Sequence, residues 1–219
     1  MNKSMKQKRL IVFSAYPESA GELKTIFSTA EGSIRRRLEN PPILRDGGWD
    51  LRTFDRAKIV CGEMIRVTFK EQSRIDLYQD GTLIFVARAD DNFLGWIGTP
   101  GHPKIYSLTI VEVIYNFVNF YKLVLDDFKQ KPYAIFIRVD LRNMHLAGLK
   151  SKLVSQPVTG IWTKEAPDNN ETIIERFEVE DLDVGDIAHE IVKKIHLWFG
   201  FEKYQIPQYP EIESKLEVS

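Results

Sequence analysis

The sequence predicts an α+β fold, with a mixed, mainly antiparallel sheet and two or three helices packed on it. Two observations lead to this prediction. Alternating apolar runs meet at Asp80-Gly81 within residues 73–90, which is typical of a β-hairpin. Residues 107–128 and 183–199 instead carry apolar side chains at steps of three and four residues, which is typical of helices with a buried face.

The first half of the chain is predicted to contain a strand, a helix and then a series of short strands. Residues 9–13 form an apolar run that reads as the strand. Apolar residues at helical spacing from Leu23 to Leu38 predict an amphipathic helix, with Gly32 as a point where it bends or splits. Pro41 and Pro42 end that helix, because proline has no amide hydrogen to donate. Further runs predict an antiparallel meander of three or four strands, at residues 59–61, 64–69, the two hairpin arms and 93–97.

The second half is predicted to contain two helices with strands between them. The hydroxyl of Ser107 is placed to cap the long helix, which ends before Lys131-Pro132. Asp183 or Asp186 is placed to cap the last helix, and Gly200 to end it. Strands are predicted at residues 133–141, 158–162 and 173–179.

We expect a single domain over residues 9–206, in which two subdomains would meet near residues 98–104. The polar residues 1–8 and the acidic residues 207–219 are predicted to be flexible tails.

Composition excludes several classes of function. The 30 Lys and Arg against 31 Asp and Glu give a formal net charge of -1, so any contact with a polyanion must come from a local patch. The single cysteine, Cys61, excludes an internal disulfide framework and fits a cytoplasmic protein. The apolar residues 108–125 include Glu112, Asn116 and Lys122, which predicts a buried helix and not a membrane span.

The sequence contains none of the standard catalytic motifs. It has no Gly-rich phosphate loop and no GxSxG elbow. Among its four histidines only His189 and His196 share an element, two helical turns apart, which is too far for one metal ion. We therefore predict a protein that is not an enzyme, without cofactor or metal, and keep a hydrolase with an unfamiliar site as an alternative.

The best candidate for a contact surface is the loop at residues 45–52, together with residues 93–102. Its residues combine charge, aromatic area and paired glycines, and the candidates for ligand or partner contact are Arg45, Trp49, Arg52, Trp96 and His102. One interpretation is a recognition lip. The other is structural: Trp49 fixes the loop to the sheet while its arginines and aspartates pair.

A second candidate surface is the arginine run on the first predicted helix. Consecutive positions spread around a helix, so a solvated helix face is one interpretation and an anion or nucleic-acid contact is the other. The candidates for nucleic-acid contact are Arg35, Arg36, Arg37 and Lys58.

The order of these elements resembles a known region of prokaryotic proteins. Arg45, Gly48 and Trp49, then the turn at residues 77–81, then Leu141 with Gly148, are similar to the C-terminal region found downstream of the Schlafen/AlbA-type DNA-binding domain. The resemblance covers residues 9–206 and includes no catalytic signature. The N-terminal domain of those proteins has no counterpart in this sequence.

What the resemblance implies is an accessory role. We expect a non-enzymatic sensing or protein-interaction domain in a regulatory or defence-type prokaryotic system, with another protein chain as its partner. The alternative is a nucleic-acid-binding accessory domain that uses a local arginine patch.

Overall fold

A computed structural model of the protein describes residues 8–24, 26–49, 51, 58–60, 62–69, 72–90, 93–95, 103–156 and 160–207. The prediction of an α+β fold is confirmed, because three α-helices accompany a seven-stranded antiparallel sheet and two smaller sheets. The helices are α1 (Ile34–Glu39), α2 (Ser107–Asp126) and α3 (Val184–Trp198).

The large sheet has the strand order β12-β7-β1-β5-β4-β3-β2. Strands β2 to β5 form the predicted antiparallel meander. Strand β1 pairs with both β5 and β7, and so joins this meander to the later strands. The bounds are β1 (Leu10–Pro17), β2 (Lys58–Val60), β3 (Met64–Phe69), β4 (Ser73–Tyr78), β5 (Leu83–Arg88), β7 (Ala134–Arg142) and β12 (Glu171–Glu178).

The two smaller sheets have three and two strands. One has the order β11-β10-β6, and its β10-β6 pair is parallel. The other is a two-stranded hairpin of β8 and β9. Their bounds are β6 (Lys104–Tyr106), β8 (His145–Leu146), β9 (Leu149–Lys150), β10 (Lys152–Ser155) and β11 (Trp162–Glu165).

The helices lie on one face of the large sheet. Phe117 of α2 packs its ring 5.9 Å from that of Phe13 in β1, and Lys194 of α3 forms an ion pair with Glu175 in β12. Alternate residues of every central strand point to this side and are fully buried, as the two-residue period of a strand requires. On the opposite face, the buried apolar residues Leu10, Val12 and Val86 form a cluster of their own, separate from this core.

The predicted hairpin is present, and the ring of Phe128, which follows α2, packs against its tip. Tyr78 N donates to Thr82 O at 2.9 Å across a three-residue loop, and Asp80 Oδ1 accepts from Thr82 N. Gly81 has φ +86°, a left-handed conformation that favours glycine. A Cβ on Gly81 would lie 1.9 Å from Cζ of Phe128, so the ring beyond the end of α2 occupies the space that any side chain would need.

The predicted helix between Leu23 and Leu38 is wrong over most of its length. Only residues 34–39 are helical, although Leu23 and Leu38 are both buried in the core. Ser28 accepts from Ala30 N through its hydroxyl, and Ser33 donates its own hydroxyl to Ser28 O. Such local side-chain hydrogen bonds compete with the backbone hydrogen bonds of a helix. The apolar side chains of this segment therefore reach the core from turns.

Two further sequence predictions are corrected. Ser107 does not cap α2: the cap position is Tyr106, which makes no side-chain capping bond, and the Ser107 hydroxyl lies within the first turn. Residues 93–95 form a turn in place of the predicted strand. The capping of α3 by Asp183 is confirmed, because its Oδ1 accepts from Asp186 N at 2.9 Å.

Candidate functional site

The face of the large sheet opposite the helices has an aliphatic strip along its middle. Leu10 and Val12 of β1 lie beside Ile84 and Val86 of β5, and form a small apolar cluster separate from the main core. Leu10, Val12 and Val86 are each less than 10% exposed, and Ile84 packs against them. We call this side of the sheet the open face.

On one side of the strip, Asp140 of β7 holds two arginines. Its Oδ1 accepts from Arg138 Nε at 2.9 Å and its Oδ2 from an Arg142 Nη at 2.5 Å. Thr172 of the neighbouring β12 donates its hydroxyl to Oδ1 at 2.8 Å. Burial by itself raises the pKa of Asp140, but the hydrogen bonds from Thr172, Arg142 and Arg138 outweigh it and hold that pKa below its ordinary value.

On the other side of the strip, Asp76 of β4 holds a second pair of arginines. Arg66 of β3 donates to both carboxylate oxygens, at 2.6 and 2.9 Å. Arg74 Nε lies 3.0 Å from Oδ2. Each aspartate is nearly buried and is shared by two guanidinium groups, so each of these two clusters carries a net positive charge.

A cavity of about 500 Å³ lies on the open face between the two clusters. The aliphatic strip forms its floor, with Ser14 of β1 near the middle, and Arg74, Arg138 and Arg142 belong to its wall. Tyr16 lies at one end, with its ring stacked 5.5 Å from that of Phe136 in β7. An apolar floor with a few converging charged groups is the ordinary composition of a ligand pocket.

The predicted contact loop is bonded to α2 by a buried carboxylate. Glu112 is fully buried and accepts from Arg45 Nε at 2.7 Å and from Trp49 N at 2.6 Å. Asn116, one turn further along α2, donates to Trp49 O. A Cβ on Gly48 would lie 3.0 Å from Glu112 Oε2, which explains a glycine there. The described part of this loop is therefore fixed within the fold, but its anchor is α2 and not the sheet, and Arg45 pairs with Glu112 of that helix and not with an aspartate of the loop.

The two predicted loops do meet, because Trp49 Nε1 donates to Phe93 O at 2.8 Å. Of the five residues proposed for ligand or partner contact, Arg45 and Trp49 take part in the bonds to α2 just described. The other three, Arg52, Trp96 and His102, lie outside the described residues.

The candidates for nucleic-acid contact lie on different surfaces. Arg35, Arg36 and Arg37 follow one another around the short helix α1, where Arg36 pairs with Glu39 at 3.2 Å. Lys58 is an exposed residue of β2 and lies opposite Arg66 of β3, which places it at the margin of the open face. The arginine run and Lys58 are thus parts of two separate surfaces.

The chemical groups elsewhere in the described residues do not form a catalytic arrangement. Ser107 Oγ and His196 Nε2 are 2.5 Å apart, but both residues are buried, and His196 Nδ1 donates to Val192 O. Burial lowers the pKa of His196 to about 4, so the ring is neutral and its Nε2 accepts a hydrogen bond from the Ser107 hydroxyl. No group of three or more metal-ligating side chains is present in the part of the chain that the structure describes.

By length and composition alone α2 could cross a membrane, yet most of its apolar stretch is buried inside the fold, as in a core helix.

Searches against protein-family models and against curated protein sequences return no match to this chain.

Reasoning from the sequence did not find the open face as a site. A signal was present in β7, where Arg138, Asp140 and Arg142 alternate with buried aliphatic residues. The missing information was the order of the strands: only the pairing of β1 with both β5 and β7 places this cluster across the strip from Arg74 and Asp76.

Proposed function

We propose that this chain is a non-enzymatic sensing domain that binds a small ligand on the open face. The observation that supports this most is the cavity of about 500 Å³ with an apolar floor and charged wall. Its size lies within the range of about 300–1,000 Å³ that is usual for small-molecule pockets. An accessory role beside another protein chain, as the Schlafen/AlbA resemblance implies, is part of the same proposal.

The cavity offers binding groups without a catalytic one. Its cationic groups are the guanidinium groups of Arg74, Arg138 and Arg142, which remain protonated and serve poorly as acids or bases near neutral pH. The carboxylate of Asp140 already accepts three hydrogen bonds, and its lowered pKa makes it a weak base. Ligand binding, with no chemical change of the ligand, is what such a surface supports.

The test blocks the cavity with a larger side chain and detects ligand binding as an increase in thermal stability. A panel of cationic, neutral and anionic small molecules is scored by the shift in Tm of the unmodified chain and of Ser14→Trp, whose indole would occupy the cavity. We expect at least one compound to raise the Tm of the unmodified chain alone, since a ligand at 100 times its Kd stabilises a protein by about 2.7 kcal/mol. A folded Ser14→Trp that responds like the unmodified chain to every compound contradicts the proposal.

A second candidate function is the binding of single-stranded nucleic acid. Two observations favour it: the number of cations on the open face and the stacked, half-buried rings of Tyr16 and Phe136. Aromatic rings on the surface of a sheet can stack with bases. The cations of this face within the described residues are Lys58, Arg66, Arg74, Arg88, Arg138, Arg142 and Arg176.

Anisotropy of a labelled oligo(dT) at 50 and 200 mM salt tests this candidate. If the open face binds nucleic acid, Arg138→Gln/Arg142→Gln weakens binding and reduces its dependence on salt. The triple variant Arg35→Gln/Arg36→Gln/Arg37→Gln is the comparison, because those arginines lie on α1. Loss of binding in the triple variant alone would show that α1 and not the open face binds the oligonucleotide. Absence of binding by the unmodified chain at 50 mM salt would exclude this candidate function.

A further inference from the structure

We infer that the ligand of the open face is an anion with an apolar body, whose carboxylate or phosphate group binds at Arg138 and Arg142 while the body lies on Val12, Ile84 and Val86. This inference rests on the proposed function and names the chemical class of the ligand. It follows from the arrangement of charge around the cavity.

The anion site is the pair of arginines held by Asp140. Arg138 and Arg142 are four residues apart on one face of β7, so their Cα atoms are separated by roughly 13 Å. Asp140 lies midway and binds one arginine through each oxygen, which turns the two guanidinium groups toward each other. Both side chains are 42% exposed, and each guanidinium has five N–H donors, more than its bonds to Asp140 use.

The arrangement selects for charge. Asp140 is neutralised by two cations, and the same holds for Asp76 across the cavity. A cationic ligand would meet net positive charge on both sides. An anion would share guanidinium donors that the aspartates already orient, so little side-chain entropy is lost when it binds.

The floor selects for an apolar body. The aliphatic strip is two strands wide, and β7 is three strand spacings from β4, roughly 14 Å. A ligand held at Arg138 and Arg142 therefore extends over Val12 and Val86 toward Arg74. Inorganic phosphate or sulfate would make no contact with this strip, so a small ion without an apolar body should bind more weakly.

The test compares two anions with their uncharged counterparts by calorimetry. Octanoate with 1-octanol forms the carboxylate arm, and AMP with adenosine forms the phosphate arm. We expect at least one anion to bind the unmodified chain 10-fold or more tightly than its uncharged partner, and the preference to fall below 3-fold in Arg138→Gln/Arg142→Gln. Arg176→Gln is the matched control, an arginine of the same face that pairs with Glu18 outside the cavity.

The double variant removes both cations from Asp140, so Arg142→Gln alone is measured as well, because it keeps Arg138 on that carboxylate. Preference in the octanoate arm or the AMP arm identifies which anionic group the site takes. Equal affinity for charged and uncharged partners, or a preference that survives both variants, overturns the inference. If neither anion binds but a neutral or cationic compound of the panel raises the Tm of the unmodified chain and not of Ser14→Trp, this inference fails and the proposed function stands. A panel in which no compound of any charge raises the Tm of the unmodified chain alone overturns both.

Discussion

Ser107 and His196 join the start of α2 to the end of α3 through a buried hydrogen bond of 2.5 Å. His196 is fully buried, and its second ring nitrogen donates to Val192 O one turn earlier in α3. In the neutral ring Nε2 accepts from the Ser107 hydroxyl, whereas a protonated ring would donate to the Ser107 oxygen and would place a charge in the buried interior.

Acid should therefore destabilise the protein through His196. Burial lowers its pKa in the folded state to about 4, whereas the ordinary value is 6.5. Between those values the unfolded chain takes up a proton that the folded chain does not, so stability falls as the pH drops from 6.5 toward 4 and the loss is complete below 4. The difference of pKa corresponds to about 3 kcal/mol.

Urea unfolding at pH 7.5 and pH 4.5 measures this effect. His196→Gln should lose a large part of the pH dependence, since it cannot titrate. Ser107→Ala should keep that dependence because the imidazole stays buried. Equal pH dependence in the unmodified chain and His196→Gln would show that other groups cause the acid sensitivity.

Glu112 is expected to be the residue on which the loop at residues 45–49 depends. Glu112→Ala should lower the free energy of unfolding by about 3–5 kcal/mol, as for a broken buried ion pair. A double-mutant cycle with Arg45→Met isolates the coupling between the two side chains. A coupling near zero would mean that the bond to Trp49 N carries the effect.

Gly81→Ala should cost more stability than Gly62→Ala. Both glycines have positive φ, so both variants pay for the left-handed conformation, about 1–2 kcal/mol. Only Gly81 also faces Phe128, while nothing lies within 4 Å of a Cβ at Gly62. Thermal unfolding of the two variants compares them, and equal losses would show that the Phe128 ring moves aside at no cost.

Thr172→Val should raise the pKa of Asp140. The Thr172 hydroxyl is one of three donors that hold this pKa below its ordinary value, and valine has nearly the same shape without the donor. Carboxyl-carbon NMR titration of Asp140 measures the change. An unchanged pKa would assign the whole depression to Arg138 and Arg142.

Local patterns in the sequence predicted the hairpin, the long helix and the cap of α3, because each depends on neighbouring residues. The failures arise from longer-range or competing contacts. Ser107 looks like a cap, but its hydroxyl bonds to a histidine 89 residues away. The apolar spacing after Leu23 correctly identified core residues and wrongly predicted a helix, because hydroxyl groups at Ser28 and Ser33 stabilise turns.

The candidate site was less predictable for the same reason. Arg45 and Trp49 were conspicuous in the sequence, yet their bonds to Glu112 depend on how a loop meets a helix more than 60 residues later. The pairing of β1 with β7 crosses an even longer separation, and without it Arg138 and Arg142 are ordinary polar residues of an alternating strand.

Strand β12, at one end of the large sheet, has a consequence for solubility. Its outer edge pairs with no other described strand, and eight extended residues with free edge positions are a template on which a second copy could add a strand and start aggregation. Charged residues on both of its faces, Glu175 on one and Arg176 and Glu178 on the other, oppose such stacking. Replacing them with apolar residues would leave the backbone pairing of β12 with β7 in place and turn this edge into a site of self-association.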